Sequence, residues 1–213
     1  MAHPILFGAA YSVYVRAVRL TLHEKAVPYD HIDVDVFAAG GPPAEYRARH
    51  PFGRIPAFEH DGFRLYESGA IERYIDTVFP GPALQPQDPR AQARMNQALS
   101  VLDSYCYRTL LWDIFVERVR TPALGRAPDE ARIAAALPRA ETCLHALSEI
   151  SGTGPFLAGP TLTLADLHAT PIFVYFRMAP EGAAMIARHP RIAAWLDAMA
   201  ARPSVAATRS PLE

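Results

Sequence analysis

The chain has 213 residues, of which 50% are hydrophobic and 20% are charged, a composition typical of a folded globular protein with one large domain or two smaller ones. The formal net charge of -1 creates no overall field that would attract nucleic acid or anionic lipid, so neither partner is expected. The apolar residues 4–10 are too few to span a membrane and lack the basic flank of a secretory signal. We therefore expect a cytoplasmic protein without membrane contact.

The beginning of the chain alternates between strand and helix patterns. A short apolar run ended by glycine, at 4–9, predicts a buried strand. Apolar residues at helical spacing between Tyr14 and Glu24 predict a helix that follows it. Period-two alternation over 29–37 then predicts a second, half-exposed strand. Together these elements form a β-α-β order.

A predicted hairpin follows at 55–67. Its turn is centred on Asp61 and Gly62, a dipeptide that favours tight turns between antiparallel strands. Helical spacing resumes directly after Ser68. The hairpin thus leads straight into a helix.

The remainder of the chain has almost purely helical patterns. Four prolines within 79–89 exclude a continuous helix there and suit an extended linker. Asp88 and Pro89 form a good helix start, and the pattern continues to about residue 120. We therefore expect a mixed domain at 1–79, a linker at 80–88 and an all-helical domain at 89–213.

Two further features of the helical part are specific. Thr163 and Asp166 have the spacing of a capping box at a helix start. Cys106 and Cys143 have no metal-ligand spacing and both fall on apolar helical stripes, which indicates buried reduced thiols. No metal site is expected.

Four motifs in this order resemble the cytosolic glutathione S-transferases over nearly the whole chain. They are HPFGRIPAFE (50–59), LYESGAIERYI (65–75), TLADLHATP (163–171) and HPRIAAWLDAMAARPSV (189–205). The stretch 7–25 is similar to the serine-type classes, phi and theta and their bacterial relatives. The resemblance implies an α/β thioredoxin-like N-terminal domain that binds glutathione, followed by an all-α C-terminal domain.

The resemblance also implies how glutathione is held. In the family the proline at the Pro56 position is cis, and the residue before it, here Ile55, offers its backbone to the peptide. A helix that starts at Ser68 presents free amides and a positive dipole end, which favour an anion. The family places the γ-glutamyl carboxylate there, with the acid at the Glu67 position near the ammonium group. Ser68 as a simple helix cap is the alternative.

The chemistry requires a thiolate, because a thiol with an ordinary pKa of about 8.5 is mostly protonated at neutral pH. The start of the first helix offers Tyr11, Ser12 and Tyr14 as hydrogen-bond donors. The active serine of the serine-type classes falls on Ser12, which we predict to donate to the thiolate, with Tyr11 as second choice. Since no cysteine precedes Cys106, mixed-disulfide chemistry is disfavoured.

One part of the family pattern is missing. Where plant-type members carry basic residues for the glycyl carboxylate, this chain has Gly40, Gly41, Pro42 and Pro43. Arg54 stands close to the predicted ligand in the sequence, and its guanidinium suits a carboxylate. We predict that Arg54 replaces the missing contact, with a solvated surface arginine as the alternative.

The expected function is glutathione transfer to a small hydrophobic electrophile by a homodimeric enzyme. Aromatic residues of both domains are candidates for the wall of the second-substrate pocket: Tyr14, Phe37, Tyr105, Trp112 and Phe115. Two alternatives remain open. The chain could be a noncatalytic ligand carrier or interaction module, or a glutathione-dependent peroxidase or isomerase.

Overall fold

A computed structural model describes residues 3–213 of the protein. The chain divides into two compact units. The first contains the residues up to Leu84 together with Pro203–Glu213, and the second contains Gln85–Arg202. The sequence pattern predicts residues 203–213 as part of the helical domain. Their contacts instead group them with the first unit, where the buried Arg16 bonds to them.

The first unit is built around a four-stranded sheet with the order β2-β1-β3-β4. Its elements, in chain order, are β1 (Ile5–Phe7), α1 (Val13–Glu24), β2 (Asp30–Ile32), a short 3₁₀ helix (Ala44–Ala48), β3 (Ala57–His60), β4 (Phe63–Tyr66) and α2 (Ser68–Val78). The strands β1 and β2 are parallel, and β3 is antiparallel to both β1 and β4. This arrangement is the thioredoxin-like sheet that the sequence predicted.

Alternation along the strands gives the sheet two packed faces. Leu6 and Phe58 point to one face, where they pack with the buried stripes of α1 and α2. Phe7 and Ala57 point to the other face and pack with Val34 and Tyr46. Each fully buried side chain of this kind contributes about 1.5–3 kcal/mol relative to an exposed one.

The strand predicted at 29–37 is much shorter, because β2 covers only Asp30–Ile32 and is exposed throughout. It is an outer strand of the sheet and pairs only with β1. The Asp35 carboxylate accepts a hydrogen bond of 2.9 Å from the Phe37 amide, a local turn that competes with strand pairing. The predicted turn of the hairpin is confirmed, since Asp61 and Gly62 both have positive φ angles, 50° and 79°.

The regular elements of the second unit are all helices. Its helices are α3 (Pro89–Val101), a π-helical continuation of α3 (Leu102–Arg120), α4 (Thr121–Ala123), α5 (Glu130–Ser151), α6 (Leu164–Met178), α7 (Pro180–Arg188) and α8 (Pro190–Ala200). A last short helix, α9 (Pro203–Ala207), belongs to the first unit. The predicted caps at Asp88 and Thr163 are both present. None of the helices in residues 3–213 is long and apolar enough to cross a bilayer.

The predicted capping box of α6 lies at the centre of the helical unit. The Asp166 carboxylate is fully buried and accepts bonds from the Leu157 and Thr163 amides at 2.8 and 2.9 Å. It also accepts a bond of 2.9 Å from the Trp195 indole. One carboxylate therefore ties the start of α6 to α8 and to the preceding loop.

We predict that Asp166→Ala destabilises the protein strongly, because several buried donors lose their acceptor at once. The expected loss of unfolding free energy is about 3 kcal/mol or more. Urea unfolding followed by circular dichroism measures it. The control is Asp197→Ala, which removes a carboxylate that is 74% exposed. That control is expected to cost about 0–1 kcal/mol. Equal losses in the two variants would refute the assigned role of Asp166.

Candidate functional site

The strand register brings the predicted site residues of the first unit to one end of the sheet. Phe7 of β1 lies opposite Ala57 of β3, and Ala57 lies opposite Tyr66 of β4. We call this row the Phe7 end of the sheet. Since neighbouring strands are about 4.8 Å apart, the segments that extend beyond the row are close neighbours. The segment after Phe7 leads to Ser12, the segment before Ala57 contains Ile55, and the segment after Tyr66 begins α2 at Ser68.

Gly8 allows α1 and the Ile55 segment to approach the end of β1 closely. Its amide donates to the Ile32 carbonyl at 2.9 Å, directly beyond the Phe7 end. A Cβ atom at this position would lie 2.4 Å from Cγ2 of Val15 and 3.1 Å from Cβ of Ile55. Its φ angle of 148° also disfavours any residue with a side chain. Glycine is therefore required where α1 and Ile55 meet the end of β1.

Ser12 is the N-cap of α1 and is half-buried. Its hydroxyl oxygen accepts a hydrogen bond of 3.4 Å from the Val15 amide. A serine hydroxyl also carries one proton that it can donate, so capping and donation to a ligand are compatible. The positive end of the α1 dipole lies at the same place, and it favours an anion there.

Tyr11, the second candidate donor, is committed elsewhere. Its hydroxyl donates to the Asp35 carboxylate at 2.6 Å, and its ring stacks on Phe37 with 6.2 Å between centroids. A carboxylate is a strong acceptor that competes with a thiolate for this proton. This geometry favours Ser12 over Tyr11. Asp35 did not stand out in the sequence, because it lay inside the strand predicted at 29–37.

The segment of Ile55 and Pro56 enters β3. The peptide bond between them is cis, as expected from the resemblance. Pro56 is buried, and Ile55 is half-buried against the core of the sheet. Within residues 3–213, the amide and carbonyl of Ile55 take part in no backbone hydrogen bond outside the regular elements. They are thus available to an extended peptide.

Glu67 and Ser68 form the start of α2. Glu67 is the N-cap but makes no capping bond through its side chain, and Ser68 is the first helical residue and buried. The first amides of a helix have no intrahelical acceptor, so this end can bind an anion. Glu67 has φ 71° and ψ 112°, which is a sparsely populated conformation for a residue other than glycine. Strain of this kind is concentrated at functional sites.

Arg54 is exposed and precedes Ile55 directly. Its carbonyl accepts a bond of 2.8 Å from the Tyr46 hydroxyl, and burial raises the pKa of that phenol, so the proton stays in place. Tyr46 thereby connects the 3₁₀ helix after the Gly40–Pro43 loop to the Ile55 segment. This contact was not predicted from the sequence. A tyrosine between charged residues in EYRAR gives little sign of burial.

His50 is a further buried residue near the site that the sequence did not point to. Its side chain is 2% exposed, its ring lies 4.9 Å from the Tyr66 ring, and Nδ1 has no hydrogen-bond partner in the described part of the chain. Burial lowers its pKa, while Glu67 raises it and Arg54 lowers it further. His50 is therefore neutral at neutral pH, and its ring packs against Tyr66 of β4.

The aromatic candidates for the second-substrate pocket divide between the two units. In the first unit, Tyr14 is half-buried and Phe37 is 67% exposed. In the second unit, Tyr105 is 63% exposed and Trp112 is half-buried. Each of these rings has some surface that a ligand can touch.

Phe115 does not fit this role. Its side chain is 2% exposed and stacks on Tyr175, with 4.6 Å between ring centroids, in the core of the helical unit. Helical spacing alone does not separate a core ring from a pocket ring. A separate groove of about 560 Å³ lies between α5 and α7, lined by residues that include Leu137, Pro138 and Met185. None of the predicted aromatic residues lines that groove.

Both cysteines are free and buried, as predicted. A hydrogen bond between the two thiols and burial raise the pKa of Cys106. The thiols belong to different helices of the second unit, the π-helical segment and α5. They have the character of packing residues, not of nucleophiles.

Comparison with known proteins shows the family. Residues 6–83 match the N-terminal domain of glutathione S-transferases, and residues 130–198 match the C-terminal domain. A glutathione S-transferase of Hyoscyamus muticus is 30% identical over 201 residues, which covers 93% of this chain and 94% of the relative. The chain therefore belongs to the glutathione S-transferase family, and its relatives are phi- and theta-like. Membership implies glutathione as co-substrate.

Solved structures agree with this fold. The apo form of glutathione S-transferase III superposes with a TM-score of 0.87 at 29% identity and covers 100% of this chain and 99% of its own. Glutathione S-transferase I bound with lactoylglutathione superposes with a TM-score of 0.85 at 25% identity, over 97% and 98% of the two chains. The two-part architecture predicted from the sequence is confirmed.

The strained backbone of Glu67 leads to a prediction about stability. Glu67 is exposed, so loss of its side chain costs little, whereas glycine tolerates a positive φ. We expect Glu67→Gly to unfold with a free energy about 1 kcal/mol higher than Glu67→Ala, because strain of this kind costs about 1–3 kcal/mol. Urea titrations of both variants measure the difference. Coincident unfolding curves would show that the backbone is not strained at this position.

Proposed function

We propose that the protein is a glutathione transferase in which Ser12 stabilises the glutathione thiolate for attack on a small electrophile. The observation that carries this proposal is the strand register. It brings the Ser12 loop, the Ile55 backbone and the start of α2 to the Phe7 end of the sheet. A donor for sulfur thus stands beside a backbone edge for a peptide and a helix start for a carboxylate. An extended tripeptide with a thiol and two carboxylates carries groups that are complementary to this arrangement.

The tripeptide is held mainly by the backbone in this proposal. The cysteinyl residue of glutathione pairs with the amide and carbonyl of Ile55, as an added strand would. The γ-glutamyl carboxylate lies on the first amides of α2 at Ser68, where the helix dipole favours it. Glu67 accepts from the γ-glutamyl ammonium group. The positive φ of Glu67 is the local cost of this arrangement.

Ser12 supplies the chemistry. A hydrogen bond from its hydroxyl to sulfur is stronger for the thiolate than for the thiol, so it lowers the pKa of the bound thiol. A shift of two units corresponds to about 2.7 kcal/mol, which one or two charge-assisted bonds and the dipole of α1 can provide. The thiolate then attacks an electrophilic carbon by addition or displacement. The thiol proton leaves to water before the attack.

The second substrate is a small hydrophobic electrophile. Phe37, which is exposed and stacked on Tyr11 next to Ser12, supplies an apolar surface in the first unit. Tyr14 is a further candidate in the first unit, and Tyr105 and Trp112 are candidates in the second. Phe115 is not among them, because its ring is buried in the helical core.

We also propose that the protein is a homodimer. In the first unit, Phe52 is 71% exposed and Tyr66 is 38% exposed, and their rings lie 6.2 Å apart. An exposed aromatic pair of this kind is typical of protein interfaces. Analytical ultracentrifugation at several protein concentrations tests this state, and a concentration-independent monomer would refute it.

Loss of the Ser12 hydroxyl should raise the pKa of bound glutathione. We expect Ser12→Ala to raise it by about one to two units and to lower the conjugation rate near pH 6.5 about 10- to 100-fold. Thiolate absorbance against pH and steady-state rates with an activated aryl chloride measure these changes. Tyr11→Phe should leave the thiol pKa nearly unchanged, because the Tyr11 proton is bonded to Asp35.

Two further variants separate donation from helix capping. Ser12→Gly removes the hydroxyl but loses only a few tenths of a kcal/mol as an N-cap, whereas Ser12→Ala loses about 1 kcal/mol. Both should lose the same amount of activity if donation is the cause. Ser12→Thr retains both functions and should remain active. An unchanged rate in Ser12→Ala, or a large loss in Tyr11→Phe, would contradict the assignment.

Arg54 is proposed to bind the glycyl carboxylate. Because its side chain is exposed, we expect Arg54→Gln to weaken glutathione binding only about fivefold, corresponding to about 1 kcal/mol. Isothermal titration with glutathione and with its glycyl ethyl ester tests the partner directly, since the ester should bind both proteins equally. Arg47→Gln is the control, because Arg47 is the exposed cation of the neighbouring 3₁₀ helix. A loss in that variant alone would assign the contact to Arg47.

A further inference from the structure

Helix α1, whose N-cap is Ser12, is held on one side by residues 203–213, a segment distant in sequence. Arg16 of α1 is 1% exposed, and its guanidinium donates to several groups of residues 203–213. Nη2 bonds to the Val205 carbonyl at 3.1 Å, and Nε bonds to the Thr208 hydroxyl at 3.5 Å. Nη1 and Nη2 both bond to the carboxylate of Glu213, the latter at 3.4 Å. We call residues 203–213 the clasp.

Additional contacts continue the clasp along α1. Nη1 of Arg19 donates to the Thr208 carbonyl at 3.4 Å, and the Ser204 hydroxyl donates to Glu24. The Glu213 carboxylate also accepts from the Ser210 amide at 3.0 Å, which fixes its position. The clasp thus contacts successive turns of α1 on one side.

The Arg16 side chain is the part of this contact that cannot easily move. A buried guanidinium without an anionic partner is strongly unfavourable, so Arg16 and Glu213 hold each other in place. The geometry is also directional, because the planar fork of arginine matches a carboxylate. A shift of Arg16 would therefore disrupt several hydrogen bonds at once.

Arg16 is directly connected to Ser12. Its amide donates to the Ser12 carbonyl at 2.9 Å, the bond that closes the first turn of α1. Any movement of Arg16 along the helix axis is transmitted through this bond to the N-cap. Hydrogen-bond donation to a thiolate is sensitive to small displacements, since hydrogen bonds weaken steeply outside a narrow range of distance and angle.

We propose that Arg16 and Glu213 are positioning residues for the Ser12 hydroxyl. Their ion pair fixes α1 against the clasp, and thereby sets the distance at which Ser12 meets the glutathione sulfur. The inference rests on the proposed function of Ser12. It adds residues that do not touch glutathione but determine how strongly its thiol is acidified.

The sign of the effect separates positioning from simple electrostatics. Removal of the Glu213 charge takes a negative charge away from α1, and a field effect alone would then stabilise the thiolate and lower the thiol pKa further. Displacement of Ser12 has the opposite consequence, because a weakened hydrogen bond raises the thiol pKa. The two explanations therefore predict shifts of opposite direction.

The test uses Glu213→Gln, which removes the charge and keeps the shape. We expect the pKa of bound glutathione to rise by about half a unit to one unit, which lowers kcat near pH 6.5 about three- to tenfold. The KM for glutathione should change less than about twofold, because the groups that bind the peptide are untouched. At a pH above both thiol pKa values kcat should recover, which a purely structural loss would not produce.

Controls and a second variant keep the result interpretable. Glu149→Gln removes a carboxylate that is 69% exposed on the helical unit, and should leave the thiol pKa unchanged. Thr208→Val is the milder variant if Glu213→Gln folds poorly, since it removes one uncharged acceptor of Arg16. It should shift the thiol pKa in the same direction by a smaller amount. Glu213→Asp keeps the negative charge and should raise the thiol pKa less than Glu213→Gln does.

Each outcome bears on a different statement. A higher thiol pKa with recovery of kcat at high pH supports the inference. An unchanged or lowered thiol pKa in folded Glu213→Gln and Thr208→Val overturns it, while wild-type acidification of glutathione leaves the proposed function intact. A wild-type protein that binds glutathione without acidifying its thiol would overturn the proposed function itself.

Discussion

The alignment of Phe7, Ala57 and Tyr66 across the sheet is the constraint on which the remaining structure depends. Each of these residues is the point where a strand meets a segment of the candidate site. A shift of one residue in either pairing would turn every side chain of the strand to the opposite face and expose its core residues. Burial of Leu6 and Phe58 on one face therefore fixes the register, and the register fixes the site. The site is a consequence of core packing.

The positions beyond the strands depend on close approach and on buried polar anchors. Gly8 lets α1 and the Ile55 segment meet at the end of β1. The Tyr46 hydroxyl donates to the carbonyl of Arg54, the residue before Ile55. The Arg16 ion pair fixes α1 at its back. Gly8, Tyr46 and Arg16 are buried and make no proposed contact with ligand. Glu67, at the start of α2, keeps a strained backbone at the surface, a conformation that persists only where the surrounding structure determines it.

Much of the fold could be predicted from residue patterns. The helix starts at Asp88 and Thr163 could be predicted because a helix cap depends only on residues within the first turn. The strand at 29–37 was overestimated, since alternation does not reveal that the Asp35 side chain closes a turn. Phe115 was assigned to a pocket because periodicity alone cannot tell an inner ring from an outer one. The contact between Arg16 and Glu213 of the clasp joins residues 197 positions apart in the sequence, and no local signal predicts it.

The central claim is that the Phe7 end of the sheet holds glutathione with its sulfur at Ser12. A crystal structure of the protein with glutathione tests it most directly. We expect sulfur within hydrogen-bond distance of the Ser12 hydroxyl, about 3.0–3.5 Å, with the γ-glutamyl carboxylate on the Ser68 amide and the cysteinyl backbone paired with Ile55. Glutathione bound with its sulfur on the Tyr11 hydroxyl, or bound away from this end of the sheet, would contradict it.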